Sequence, residues 1–283
     1  MNAAVREHGL QSAVNKKDFF NFSEVPMTTS KINLVLLPGL LTDARLWQPQ
    51  TTALANYADI TVADLTRHDS IAALADDVLA QAPPGPFALA GLSMGGYVAL
   101  EIMRRAPERV LGLALIDTSA RPDTEQATAD RKATIAVAEH NWPAVVKSLA
   151  PRLLLPEHLE NQALVDVIAA MAEAMGEEIY ARQQHAIMHR VDSRPFLHRI
   201  NCPTLIVCGR EDPVTPLEVH EELAIAIAGA TVEIIDRSGH LSTLEQPLPV
   251  IAAMESWLHN LIRPPVPAPA AGWTEDLLAQ APA

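Results

Sequence analysis

The feature that most constrains this chain is a short, apolar, strand-like run that recurs along it in more or less pure form. Residues 32–39, INLVLLPG, are apolar without alternation and stop at Pro-Gly. A strand covered on both faces inside a parallel sheet reads this way. Five further strand candidates follow: ADITVADL (58–65), FALAGL (87–92), VLGLALIDTS (110–119), PTLIVCG (203–209) and ATVEIID (230–236). Helical stretches separate the early ones, SIAALADDVLAQA (70–82) and a segment from Tyr97 to Arg105 that ends before Pro107. Strand alternating with helix specifies an α/β fold with a mostly parallel sheet flanked by helices.

The alternation fails once. Residues 121–198 hold no strand candidate, only helical stretches at 124–140 and 161–189. That length exceeds a single crossover, so it reads as an inserted helical cap. The core is then built from residues 31–120 and 199–262. Residues 1–30 are expected to be a loose extension, and the Pro/Ala-rich residues 263–283 a poorly ordered tail in which WTEDLLAQ could form a short helix.

With 283 residues and 49% hydrophobic content, the chain can bury a sizeable core. Its formal charge of −13 argues against nucleic acid or an anionic membrane as partner. No apolar run reaches the ~20 residues needed to span a bilayer. The first 26 residues lack the continuous apolar region of a secretory signal, and Met27 follows them, which makes an upstream start conceivable and a cytoplasmic setting the expectation. Cys202 and Cys208 flank one predicted strand, too far apart to bridge, and read as buried apolar residues. The oligomeric state is not legible.

The chemistry is expected at the corner between the third strand and its helix. In GLSMG (91–95) a strand turns at once into a helix, and such a turn strains its central residue. Gly91 and Gly95 must be small because the chain approaches itself there. The turn lifts Ser93 above the sheet at a helix N-terminus, where the macrodipole favours negative charge. A serine hydroxyl is a poor nucleophile without a base that is itself oriented by a third group. LIVCGREDPVTP places Asp212 just past a strand end, and EIIDRSGHLSTLEQP places His240 just past the last strand. Parallel sheets bind ligands at this C-terminal edge. Asp117, in LALIDTS, also ends a strand and is a rival for the acid; Asp212 is preferred.

GLSMGGYVALEIMRRAPERV, GREDPVTP and SGHLSTLEQP together resemble the α/β-hydrolase superfamily over residues ~31–262. The order Ser, Asp, His is that family's order. The resemblance implies an eight-stranded type of sheet, with the cap inserted after the strand carrying Asp117. It further implies Ser93 as nucleophile, His240 as general base and then acid, and Asp212 as the residue that orients and stabilises the imidazolium. Oxyanion donors would be the backbone N–H groups of Met94, directly after the nucleophile, and Leu40. Proline stands before Gly39 where the family usually has histidine, but the Leu40 N–H survives. The usual opening hairpin is expected to be absent or replaced by part of the extension.

The resulting expectation is a carboxylic-ester hydrolase acting on a small or medium acyl substrate chosen by the cap. Thioesters, lactones and carbon–carbon bonds remain open on the same triad, as does a non-catalytic ligand-binding protein of the same fold. Haloalkane dehalogenases and epoxide hydrolases of this superfamily use aspartate at the corner, so Ser93 argues against both. No phosphate loop, metal cluster or dinucleotide fingerprint is present, so no cofactor is expected. Trp142, Met171 and Met188 are candidate pocket residues; as a Met and aromatic stripe they also fit a plain core. Trp47 is expected to pack beneath the Leu40 loop. His185 and His189, four apart on one helix, would hold a metal only with a third ligand. His68 could border the entrance.

Overall fold

The computed structural model describes residues 31–262. The expectations for 1–30 and 263–283, including the replacement hairpin and the WTEDLLAQ helix, lie outside the described residues.

Six strands form one wholly parallel sheet: β1 Ile32–Leu37, β2 Ala58–Val62, β3 Phe87–Leu92, β4 Val110–Ile116, β5 Thr204–Gly209 and β6 Thr231–Ile235. Their spatial order is β2-β1-β3-β4-β5-β6. The two strands beyond six that the family resemblance implied do not occur among the described residues, because a single residue precedes β1 there. β3 and β5 are buried along their whole length. Their near-continuous apolar sequences follow from helices covering both faces.

The helices are α1 Gln48–Leu54, α2 Ile71–Gln81, α3 Met94–Arg105, α4 Glu125–Leu153, α5 Gln162–Met188, α6 Leu217–Ala226, α7 Ser242–Glu245 and α8 Pro247–Ile262. Ser70 caps α2 by accepting the Ala73 N–H, and Thr124 caps α4 by accepting that of Ala127. α4 and α5 are the long insertion between β4 and β5. Each bends once, α4 at Asn141 just ahead of Pro143, and α5 at Gly176, whose φ is 75°. Trp47 is fully buried in the larger core cluster, as expected. Cys202 and Cys208 are unbridged. Among the described residues no helix is long and apolar enough to cross a membrane.

The sheet order fixes where a site can form. From β1 the chain moves outward to β2, then returns to place β3 on the other side of β1. A crevice opens at such a reversal, above the carboxyl ends of the strands. All four non-glycine residues with left-handed φ among the described residues follow strand ends on this edge. They are Leu41 (56°), Ser93 (54°), Asp117 (44°) and Arg237 (55°). Each such residue costs on the order of 1–3 kcal/mol, which surrounding structure must offset.

Candidate active site

Ser93 follows directly on β3 with φ 54° and ψ −114° and opens α3. The corner is tight for a steric reason. A Cβ on Gly91 would strike the Gly95 carbonyl, and one on Gly95 would strike the Leu37 carbonyl of β1. The Ser93 N–H donates to the Ile116 carbonyl at 3.0 Å, and Thr118 Oγ1 donates to the Ser93 carbonyl at 2.8 Å. The end of the neighbouring strand β4 therefore holds the strained residue from both its N–H and its carbonyl.

The structure brings the three residues singled out in the sequence together. Ser93 Oγ lies 2.9 Å from His240 Nε2, and His240 Nδ1 lies 2.8 Å from Asp212 Oδ2. Asp212 is fixed in turn. Its Oδ1 accepts the N–H groups of Val214 and Thr215 at 2.8 and 3.0 Å, and its Oδ2 accepts the Thr215 hydroxyl at 2.6 Å. Pro213 and Pro216 shape this loop. The backbone N–H of His240 donates to the Leu153 carbonyl at 2.7 Å, so the end of α4 grips the histidine loop.

Burial is nearly complete, with Asp212 and His240 each 3% exposed. For Asp212, burial alone would raise the pKa; the charge and hydrogen bond of His240, with the Thr215 bonds, outweigh it and hold the carboxyl below its usual range. For His240, burial disfavours the imidazolium, but Asp212, Asp117 and Glu245 outweigh burial and raise its pKa. The aspartate thus supports a charge that forms on the imidazole.

Asp117, the rival acid, has no bond to the histidine. Its Oδ1 accepts the Gly209 N–H at 2.9 Å, and its Oδ2 accepts the N–H and hydroxyl of Ser242 at 3.0 and 2.6 Å. It ties the end of β5 to the segment after His240. Burial, followed by the nearby Asp212 charge, pushes its pKa up to about 7. Sequence reasoning missed two buried partners of this scaffold. His220 on α6 accepts the Thr118 N–H through Nε2 at 3.1 Å, and burial pushes its pKa down to about 4. Glu245 accepts the Leu155 N–H and pairs with His158 Nδ1, both at 2.8 Å, linking the insertion to α7. Nothing local in the sequence signals either role, since each partner lies 87 or more residues away.

A cavity of about 230 Å3 opens over Ser93 and His240. Gly39, Leu40, Thr42, Leu92 and Leu241 contribute its sheet side, and α4 and α5 its cover. The three pocket candidates do not line it. Trp142 packs on Tyr180 with ring centroids 5.7 Å apart, Met171 is fully buried in the core cluster that the insertion helices help build, and Met188 is buried at the end of α5. The side chains of Trp142 and Met171 help close the insertion on itself and on the core. The cavity face of α5 carries Tyr180, Gln184 and Ile187, and that of α4 Ala127, Asp130, Arg131 and Thr134. Both sets have the i, i+3/i+4, i+7 spacing of one helix face, the signal that could have found them. His68 is not part of the wall. His185 and His189 stack with centroids 6.3 Å apart, and among the described residues no group of three metal-ligating side chains includes them.

Leu40 stands in the cavity wall and Met94 at the first turn of α3. Neither backbone N–H donates to another described residue.

A parallel sheet that reverses at β1/β3, with serine, histidine and aspartate meeting at its carboxyl edge, defines a class of α/β enzymes. The family model described as "Alpha/beta hydrolase family" matches residues 34–253. The chain belongs to the alpha/beta hydrolase family. It is 27% identical over 238 residues to 3-oxoadipate enol-lactonase 2 of Acinetobacter baylyi, covering 79% of this chain and 87% of that one. A thermophilic esterase from Thermogutta terrifontis superposes with a TM-score of 0.74 at 28% identity, covering 81% and 90% of the two chains. The enol-lactonase of Burkholderia xenovorans shares the fold, with a TM-score of 0.74 at 24% identity over 82% and 93%.

Proposed function

We propose that this protein is a serine hydrolase cleaving a small or medium carboxylic ester through an acyl-enzyme. The observation that carries the reading is the unbroken chain from Ser93 Oγ through His240 to Asp212, at 2.9 and 2.8 Å, on a strained corner facing a cavity. Asp212 accepts the Nδ1 proton, which leaves Nε2 free to take the proton of Ser93. The serine oxygen attacks the ester carbonyl, and the negative charge moves to the carbonyl oxygen. The N–H groups of Leu40 and Met94 are assigned to that oxygen, at a helix N-terminus that favours anions. The imidazolium then protonates the departing alkoxide, and water repeats the sequence to free the acid.

Leu149, Leu153, Tyr180 and Ile187 suit an apolar acyl or alcohol portion, while Arg131, Arg152 and Asp130 admit a polar distal group. A second reading, a lactone substrate, is favoured by the named lactonase relative. A lactone uses the same steps with its leaving alkoxide tethered. Ser93→Ala tests both. Hydrolysis of p-nitrophenyl short-chain esters and of lactones is expected to fall by about 10⁴-fold or more, with fluorophosphonate labelling lost and the melting temperature kept. Activity within about tenfold of the parent would remove the serine-nucleophile reading.

A further inference from the structure

Gln183 lies near the C-terminal end of α5 and is fully buried. A buried amide is unfavourable unless both ends are paired. Here both are. Its Oε1 accepts the Leu41 N–H at 2.9 Å, and its Nε2 donates to the Leu65 carbonyl at 3.0 Å. One side chain of the insertion therefore spans the loops that leave β1 and β2.

Leu41 is an unfavourable residue at its position. With φ 56° it holds the third place of the turn Gly39–Thr42, closed by the Thr42 N–H on the Gly39 carbonyl at 3.4 Å. A type II turn puts glycine there, because a Cβ disfavours left-handed φ. Leucine stays because its side chain is buried and its N–H is held. Without that bond the peptide joining Leu40 to Leu41 has little reason to keep this orientation, and its N–H would be a buried donor without a partner. A second tie runs from the Arg45 guanidinium to the Ala170 carbonyl of α5 at 3.1 Å, beyond the turn.

We infer that Gln183 is a positioning residue for the reaction, holding the turn that presents the Leu40 N–H to the cavity over Ser93. This rests on the serine-hydrolase reading and adds to it that the insertion takes part in forming the oxyanion site. Besides the substrate choice expected of the cap, α5 must be seated for the turn to be competent. An interaction needed where charge develops affects kcat and leaves ground-state binding largely intact.

The test uses the full chain with Gln183→Met, which keeps volume and loses both bonds, and the milder Gln183→Asn, one methylene too short to reach both partners. Arg182→Gln is the control, since it breaks only the neighbouring bond of α5 to the Thr66 carbonyl. On a short-chain p-nitrophenyl ester, kcat of Gln183→Met should fall by roughly 10- to 1,000-fold, the range set by loss of one oxyanion donor, with KM within about threefold. Gln183→Asn should fall in the same direction. Inhibition by a short alkylboronic acid, whose adduct with Ser93 carries the tetrahedral charge, should weaken in parallel. Arg182→Gln should stay within about threefold. The inference is overturned if a folded Gln183 variant keeps parental kcat, if its loss lies in KM, or if Arg182→Gln is equally damaging. Parental hydrolysis and fluorophosphonate labelling of Ser93 would persist in that case. Their absence from the parent would instead remove the serine-hydrolase reading.

Discussion

Two buried carboxylates, Asp212 and Asp117, sit at the same sheet edge, and replacing each by asparagine should have opposite signatures. In Asp212→Asn the amide oxygen can keep the Val214 and Thr215 N–H bonds, while the amide nitrogen takes the place of Oδ2 beside His240 Nδ1 and the Thr215 hydroxyl. The fold is kept, but a donor now faces Nδ1. The imidazole must then carry its proton on Nε2, pointing at Ser93, where it cannot accept one. The expected loss in kcat is about 10⁴-fold, or ~5.5 kcal/mol of barrier, with little change in melting temperature. Asp117→Asn leaves the imidazole alone. Its amide can serve the Gly209 N–H, and the Ser242 hydroxyl can rotate to accept, but the Ser242 N–H loses its acceptor. A buried donor left unpaired costs about 1–3 kcal/mol. That corresponds to a melting temperature lower by about 3–10 °C for a domain of this size, with kcat reduced far less than in Asp212→Asn. The assay is kcat on a p-nitrophenyl ester beside calorimetric unfolding of both variants. If Asp117→Asn is the variant that loses turnover while Asp212→Asn retains it, the assignment of the orienting acid is wrong.

The pH dependence of kcat/KM should show an ascending limb as His240 loses its proton, and the net raised pKa puts its midpoint above the usual imidazole value of about 6.5. A midpoint clearly below 6 in steady-state profiles would contradict the influence of Asp212 and Asp117 on this ring. His220 should make the fold acid-sensitive independently of catalysis. Its folded pKa of about 4 lies below its unfolded value, so the unfolded chain binds the proton first. This contribution is fully present above about pH 6.5 and is lost as pH falls to about 4, a loss on the order of 3 kcal/mol. Urea midpoints across that window should decline less in His220→Gln, and an equal decline in both proteins would contradict the assignment.

What the sequence determined was local. Runs rich in apolar and β-branched residues marked all six strands, unbroken in β3 and interrupted by Asp59 in β2 and Glu233 in β6, and residues 87–92 came out with the same limits in the structure. The pair Gly91 and Gly95 identified the corner because only a hydrogen fits where the chain crosses itself and β1. Ser93, Asp212 and His240 each follow a strand end, so a parallel sheet places them on one edge from sequence order alone. The long strand-free stretch marked the insertion, since two helices fill it. Short elements such as α1, α6 and α7 were not legible, because few turns give little periodicity.

Tertiary structure decided the rest. Two aspartates ended strands, and only the loop after β5, with Thr215 and its own N–H groups beneath it, delivered one of them to Nδ1. The pocket lining was not legible, because hydrophobicity does not say which way a helix faces. Trp142, Met171 and Met188 were conspicuous by type, yet packing turned them into the body of the protein and left Tyr180, Gln184 and Ile187 over the cavity. Gln183 was silent in the sequence, as a polar residue on a helix ordinarily is. Its partners, Leu41 and Leu65, lie 142 and 118 residues away, and only the seating of α5 on the β1 and β2 loops leaves it buried with both ends satisfied. Periodicity is a property of neighbours along the chain. The pairing of buried polar groups across the fold is not, and it is this pairing that holds the strained turns of the site in place.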